Sequence, residues 1–488
     1  MCKRWCSLAV WICGLGPLGA EQVYESQFGA GVSPERWTRT TTYEVPETGE
    51  TVLGRFLHQG SARLHLAGLP EHQMVRLRFD LLLFGEFMGA QGEKTYDGFS
   101  IGQANGPLLL TTNFSNQDAA GSRQHFPDEF AGPAHPAKTG RLAKDGQHRY
   151  RFDLSFPHQG EELSLYFRGR VSDKESGWAF ADVKVDVLDK PANLDAARAD
   201  TLWSALQGEE AMTAHRAAWD LIACGDAGRE AVRERWQKAL AQREAAAAEE
   251  LANVAKVYVA TLPGLGHDDF VERQQASAAI GKLGAPALPL IEKSLADEKV
   301  SAEVRAHLRR IKGRVERKAS AVDPARQRLD SRVAQILRVL DPGRLGMRVE
   351  SSRTGGEDGW DGAKAVIDGY VPPSTGTIVS PRFTWYPKFI GDGWLRIDLP
   401  EAREISELGV FWFFDGWGTE APASWRIHYL DGDGKTWKAV ENPAPARFGV
   451  EPDKFNQVRF DPVTTTAVKI SVTFNGEKST GVHEVTVK

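Results

Sequence analysis

At 488 residues the chain exceeds what one hydrophobic core usually serves, and about 100–200 residues per domain divides it into roughly three units. Its 60 Lys and Arg stand against 65 Asp and Glu, a formal charge of -5 with the signs interspersed, which argues against the basic face of a nucleic-acid binder. Cys2, Cys6 and Cys13 fall within the first twenty residues, so beyond them Cys224 is alone and no intramolecular disulfide can form.

The chain opens with Lys3 and Arg4, continues apolar from Cys6 to Leu18, and reaches Gly19-Ala20 before Glu21. That is the order of a secretory signal. Residues 1–20 are therefore expected to be a signal peptide, and the mature chain to be secreted, periplasmic or at the cell surface, with no transmembrane anchor after cleavage. A retained anchor is the alternative, but a spanning helix takes about 20 apolar residues, and this run is shorter and broken by Gly14, Gly16 and Pro17. A lipid anchor on Cys13 would need small residues where Trp11 and Ile12 stand. Cys224 lies in an apolar helical pattern and reads as core filler.

Residues 21–190 alternate apolar and polar positions, as in Val75-Leu77-Phe79-Leu81-Leu83, Tyr150-Phe152-Leu154-Phe156 and Val183-Val185-Val187. That period belongs to strands burying one face, and without interleaved helices it predicts an antiparallel β-sandwich. The region resembles the jelly-roll or concanavalin-like sandwiches of exported bacterial proteins. A glycosidase built here would need two carboxylates about 5–10 Å apart. Asp80, Glu86, Asp97 and Asp182 are acids on or near strands, yet solvated strand acids or a structural metal site account for them equally, and no catalytic residue is assigned.

At Lys190-Pro191-Ala192 the period turns helical and Ala, Leu, Arg and Glu take over. Residues 191–345 are expected to form an α-helical domain, with Trp203, Trp219 and Trp236 in its core. Its clearest stretch places Phe270, Arg273, Ala276, Ile280, Leu283, Ala287 and Leu290 at helical spacing, with Gly284 as a helix stop and Pro286 opening the next helix. This pattern resembles HEAT-type repeats, which implies a stacked scaffold able to take a protein partner. The basic run from Lys312 to Arg328 reads as a solvated face or linker, and a helix from Leu329 to Leu340 leads through Asp341-Pro342-Gly343 to a boundary near Gly346.

Residues 346–488 return to strands: Leu395-Ile397-Leu399, Leu408 to Phe414, Trp425-Ile427-Tyr429, Val468 to Phe474 and Val485-Val487. Phe411 and Phe413 make the second of these apolar on both faces, as a covered central strand requires. Five pieces in order, Ala365-Val366-Ile367-Asp368-Gly369, Gly393 to Leu399, the strand after Ile405, Pro422 to Ile427 and Gly481 to Val485, resemble the discoidin or coagulation-factor type C family. That galactose-binding-like family includes the family 32 carbohydrate-binding modules.

The resemblance implies a β-sandwich jelly roll, a glycan ligand, and a structural calcium ion whose acidic ligands would be Asp368 and Glu484. Asp368 capping a turn before Gly369 is the other reading of that pair. Sugar binding would come from loops at one end, where an aromatic ring stacks on a pyranose and polar groups read hydroxyls. Trp417, in Asp415-Gly416-Trp417-Gly418, is the first choice, followed by Trp360, Trp385, Tyr386 and Phe389, with Arg382, Asp415, Glu420 and Arg447 as polar partners. Trp385 and Trp394 could instead pack beneath the loops.

No Walker loop, His-Glu-x-x-His or Cys-x-x-Cys occurs. The sequence thus points to an exported, non-catalytic recognition protein with a glycan-binding C-terminal module. A polysaccharide-degrading enzyme targeted by that module, and a pure assembly protein without sugar binding, stay open.

Overall fold

The computed structural model describes residues 19–488, apart from 47, 59, 92–93, 96, 105, 118–120, 138–140, 143–147, 172, 320–322, 345, 353–361, 379, 387–391 and 477. The signal-peptide reading therefore lies outside the described residues, except that Ala20 already opens a strand.

The alternating N-terminal segments become β1 (Ala20–Glu25), β2 (Thr42–Glu44), β3 (Thr51–Leu57), β4 (Ser61–Ala67), β5 (Met74–Phe84), β6 (Ala90–Gln91), β7 (Lys94–Thr95), β8 (Gly98–Gln103), β9 (Leu108–Thr112), β10 (Arg123–Gln124), β11 (His135–Pro136), β12 (Arg141–Leu142), β13 (His148–Pro157), β14 (Glu162–Arg170) and β15 (Gly177–Leu188). One sheet runs β12-β13-β5-β15-β3-β2 with β1 on β15; a second runs β4-β14-β8-β9; a small third runs β11-β10-β6-β7. Phe79, Phe152 and Phe180 of the first sheet meet Phe99 and Phe167 of the second at ring-centroid separations of 4.6–6.5 Å. Each such ring buries much apolar area in tilted or edge-on contact, so this aromatic layer holds the two sheets face to face.

Helices follow Pro191: α1 (Ala196–Gln207), α2 (Ala211–Ile222), α3 (Gly225–Thr261), α4 (Phe270–Lys282), α5 (Leu288–Ala296), α6 (Ala302–Ala319) and α7 (Pro324–Val339). Asp195, Glu210 and Asp269 cap α1, α2 and α4 by accepting N–H groups of their first turns. The helical region does not form one body. The residues up to Arg229 and from Asp330 onward belong to a β-rich unit, and Glu230–Leu329 form a second unit.

The reason lies in the buried faces. His215 of α2 packs its ring 5.6 Å from Phe126 of the first β-domain, and α7 buries Arg332, Gln335 and Arg338 against acceptors of that same domain. The second unit has its own core of Val254, Tyr258, Leu265, Ile280, Ile291, Leu308, Ile311 and Val315. Gly284 ends α4 at φ 69° and Pro286 follows, as the sequence requires. Of the three helical tryptophans only Trp219 is buried; Trp203 and Trp236 are half-exposed. Among the described residues no helix is long and apolar enough to cross a membrane.

The C-terminal domain contains β16 (Arg348–Ser351), β17 (Phe383–Trp385), β18 (Asp392–Phe413), β19 (Ser424–Leu430), β20 (Trp437–Ala439), β21 (Asn456–Thr473) and β22 (Thr480–Val487). The order is β17-β22-β18-β21-β19-β20, with β16 on β18. Pairing between β18 and β21 breaks from Asp398 to Arg403, where Pro400 removes an N–H. The first half of β18 therefore pairs β16 and its second half pairs β22. Leu395, Ile397, Trp412, Trp425, Ile470 and Val485 fill the enclosed core.

Candidate functional site

Antiparallel pairing gathers several loops at one end of the C-terminal sandwich. Trp385, at the end of β17, pairs with Thr480 at the start of β22, and Gly481 lies beside both Thr384 and Phe413, the last residue of β18. The segments after β17, after β18 and before β22 thus share one rim. Thr419 bridges Ser479 across it.

Trp417 stands at this rim with 89% of its surface exposed. Its loop is built by Asp415, whose Oδ1 accepts the N–H groups of Trp417, Gly418 and Thr419 at 2.9–3.0 Å and the Thr419 hydroxyl at 2.9 Å. Gly416 supplies the positive φ, 75°, that the turn needs. Partial burial pushes the Asp415 carboxyl up, but the converging N–H and O–H donors outweigh it and hold the group below its ordinary range. Asp415 is thus a staple of the loop.

Arg382 is half-buried with its guanidinium 4.2 Å from the centre of the Phe413 ring, and it donates to the Ile378 carbonyl at 2.7 Å. It braces the loop between Tyr370 and Trp385. The same loop is pinned by His483, whose Nε2 lies 3.1 Å from the Thr375 carbonyl and whose Nδ1 lies 3.4 Å from the Pro381 carbonyl, one of the two nitrogens carrying the N–H that donates, and by Asp453, which accepts the Thr375 N–H and hydroxyl. Burial, with Arg382 nearby, drives His483 down to about 3. Tyr386 is 45% exposed beside the rim. Glu420 is half-buried there, its N–H on the Ser479 carbonyl at 2.8 Å.

Trp385 departs from the binding role expected of it. It is 1% exposed, stacked edge-on against Phe383, with its indole N–H on Ser352 Oγ at 3.1 Å. The residue closes the core under the rim, whereas Trp394 is only half-buried. Arg447 is exposed in the loop between β20 and β21. Trp360 and Phe389 lie outside the described residues.

Asp368 and Glu484 do come together, both buried. Glu484 accepts Arg344 Nη1 at 2.6 Å on Oε1 and the Gly369 N–H at 3.0 Å on Oε2. Asp368 Oδ1 accepts the Tyr370 N–H at 2.8 Å, so the turn-capping reading of Asp368 describes part of its role. Burial pushes Asp368 up to about 7 and Glu484 up to about 8, with Arg344 pulling both downward. Among the described residues no cluster of three or more His, Cys, Asp or Glu side chains is arranged to hold a metal ion.

In the first β-domain the four acids have different surroundings. Asp80 is clamped by Arg151 at 2.9 and 3.1 Å and by Arg149 at 3.3 Å. Asp97 is buried and accepts the N–H groups of Met88 and Gly89. Glu86 and Asp182 are exposed.

A second polar cluster escaped the sequence reading. Arg338 of α7 forms a two-pronged ion pair with Glu129 at 2.6 and 2.9 Å, and Arg332 pairs with Asp128 at 2.8 and 3.0 Å. His135 also meets Asp128, at 2.8 Å. The available signal was the spacing of Arg332, Gln335 and Arg338 beside the apolar stripe of Leu329, Val333 and Ile336. Charged residues flanking a buried stripe need acceptors, but the sequence does not say where these lie.

Residues 348–485 match the F5/8 type C domain family, so the C-terminal domain is of that type. Solved structures similar to this part include one of the β-galactosidase BgaA of Streptococcus pneumoniae, at 20% identity over 28% of this chain and 89% of that one, with a TM-score of 0.25. A family 32 module of Clostridium perfringens in complex with GalNAc-β-1,3-galactose is 14% identical over 29% of this chain and 94% of that one, with a TM-score of 0.24. The family 32 module of C. perfringens NanJ, in complex with galactose, is 17% identical over 29% and 92%, with a TM-score of 0.23.

Proposed function

We propose that the protein is an exported, non-catalytic recognition protein whose F5/8 type C domain binds carbohydrate at the cell surface or in the periplasm through the rim around Trp417. The observation carrying this reading is an indole 89% exposed on a loop whose shape one carboxylate fixes. An exposed indole on a backbone already fixed in shape spares the ordering of its loop when it stacks on the apolar face of a pyranose. Arg382, Tyr386 and Glu420 lie at the same end and supply the polar groups that read hydroxyls. Galactose-type sugars, bound by the similar modules named above, are the first ligands to try.

The helical unit serves in this reading as a HEAT-like scaffold open to a protein partner, and the first β-domain as a jelly-roll body without catalysis. One of its acids, Asp80, is ion-paired with Arg149 and Arg151, which suits a structural role.

The test is a glycan array followed by calorimetry on the full chain and on Trp417→Ala. Binding to at least one galactose- or GalNAc-terminated glycan is expected, with a loss of tenfold or more in the variant and an unchanged melting midpoint. Equal binding by both chains, or an empty array, would sink the reading.

A further inference from the structure

The residues that resemblance assigns to a calcium site are already engaged by the chain itself. Calcium takes six to eight oxygens. Here the Ile367 carbonyl accepts Arg344 Nη1 at 3.1 Å, and the Asp368 carbonyl accepts the Leu108 N–H at 2.9 Å. Both oxygens of Glu484 and one of Asp368 are occupied as described. Of these atoms only Asp368 Oδ2 is buried without a hydrogen-bond partner, and one oxygen does not make a calcium site. A dication would also enter beside the guanidinium groups of Arg344 and Arg338, both of which act electrostatically on Asp368.

We infer that Arg344 takes the place of a metal ion in the C-terminal domain, tying the Ile367 carbonyl to the Glu484 carboxylate, and that this domain is metal-independent but depends on the chain that precedes it. Arg344 lies ahead of β16, in the turn after α7, where its Nε forms an ion pair with Asp341 at 3.2 Å. The guanidinium suits the position because it is always charged and its N–H groups diverge in a plane, reaching a carbonyl and a carboxylate together.

The same loop is a docking surface. Leu108 of β9 donates to Asp368 while its own carbonyl accepts Arg338 Nε at 2.8 Å. Leu108, Phe130, Tyr166 and Tyr370 form one apolar cluster around that seam. Gly369, at φ 82°, brings the backbone against Arg338, where a Cβ would meet the arginine Cγ at 2.6 Å. Arg338 and Arg344 therefore connect the first β-domain, α7 and the C-terminal domain through one turn, Asp368-Gly369-Tyr370. A cation with only solvent behind it would not do this.

The experiment uses the full chain, since a fragment starting at residue 346 lacks Arg344 and exposes Tyr370. Thermal melts of the wild type in millimolar CaCl2 and in EGTA are expected to coincide, and calorimetric titration with CaCl2 to show no saturable heat. Arg344→Ala is expected to melt several degrees lower in both buffers. Arg344→Lys, which keeps the charge without the planar fork, should fall between. A wild-type midpoint that rises with calcium, saturable calcium binding, or an Arg344→Ala chain as stable as the wild type would each overturn the inference. The calcium measurements involve no sugar, so they stand or fall apart from glycan recognition.

Discussion

Asp415 separates two ways in which a residue can serve a binding loop. Its carboxylate gathers four donors, so its contribution to recognition is to fix the backbone that carries Trp417. Removing it leaves three N–H groups to water and frees the loop, whose residues must then be ordered on binding at about 0.5–1.5 kcal/mol per immobilised side chain. Asp415→Ala is therefore expected to weaken sugar binding about threefold to tenfold and to lower stability by about 1 kcal/mol. Asp415→Asn, which keeps an acceptor oxygen, should lose less of both, as calorimetry and denaturant melts would show. A binding loss in Asp415→Ala as large as that of Trp417→Ala would mean that the carboxylate touches the sugar. The Asp-Gly-Trp-Gly string was readable as a turn presenting an aromatic because each residue type has a local reason to be there. Trp385 was readable only as two alternatives, rim or packing beneath it, since Phe383, Thr384 and Trp385 are buried one after another and give no alternation from which to infer an inward face.

At the scale of elements, α7 shows what periodicity reveals and what it hides. The spacing of Leu329, Val333, Ile336 and Leu340 predicts a helix with one buried stripe, and that stripe is buried. The burial of Arg332 and Arg338 beside it was hidden, because their partners Asp128 and Glu129 are about two hundred residues away in sequence. The Glu129 carboxyl is pushed up by burial, and Arg338 counters that push with charge and two hydrogen bonds. Breaking one half of such a pair costs more than the pair contributes, about 3–5 kcal/mol, because a charge stays buried without its counterion. Arg338→Met is expected to destabilise the β-rich unit by that amount in denaturant melts. Arg338→Met combined with Glu129→Gln should recover a large part of it, and a double variant no better than the single would show that packing of the arginine, not charge, holds the seam.

For the whole molecule, the β-rich unit joins three stretches that the sequence presents as separate domains, and the groups buried where they meet set its response to acid. His215 of α2 is half-buried against Phe126, Trp219 and the Pro127 carbonyl, with Asp128, Arg216 and Arg332 the charged groups nearby. Burial is the main influence, and it lowers the imidazole from 6.5 to about 4. His125 and His158 are lowered to about 4 for the same reason, next to His135 and His72 respectively. A histidine lowered on folding stays neutral in the native chain while the unfolded chain takes up a proton. Its stabilising effect is complete above pH 6.5 and is lost as pH falls towards 4. In that window each such group steepens the fall by up to about 1.4 kcal/mol per pH unit. His215→Gln should therefore start from a lower stability at neutral pH but lose less of it on acidification. The difference in slope between variant and wild type approaches one proton, and taking the difference cancels every carboxyl the two chains share. Urea melts at half-unit steps from pH 7.5 to 4.5 would measure it. Parallel curves for the two chains would mean that His215 titrates normally and that the contact of α2 with the first β-domain is open to water.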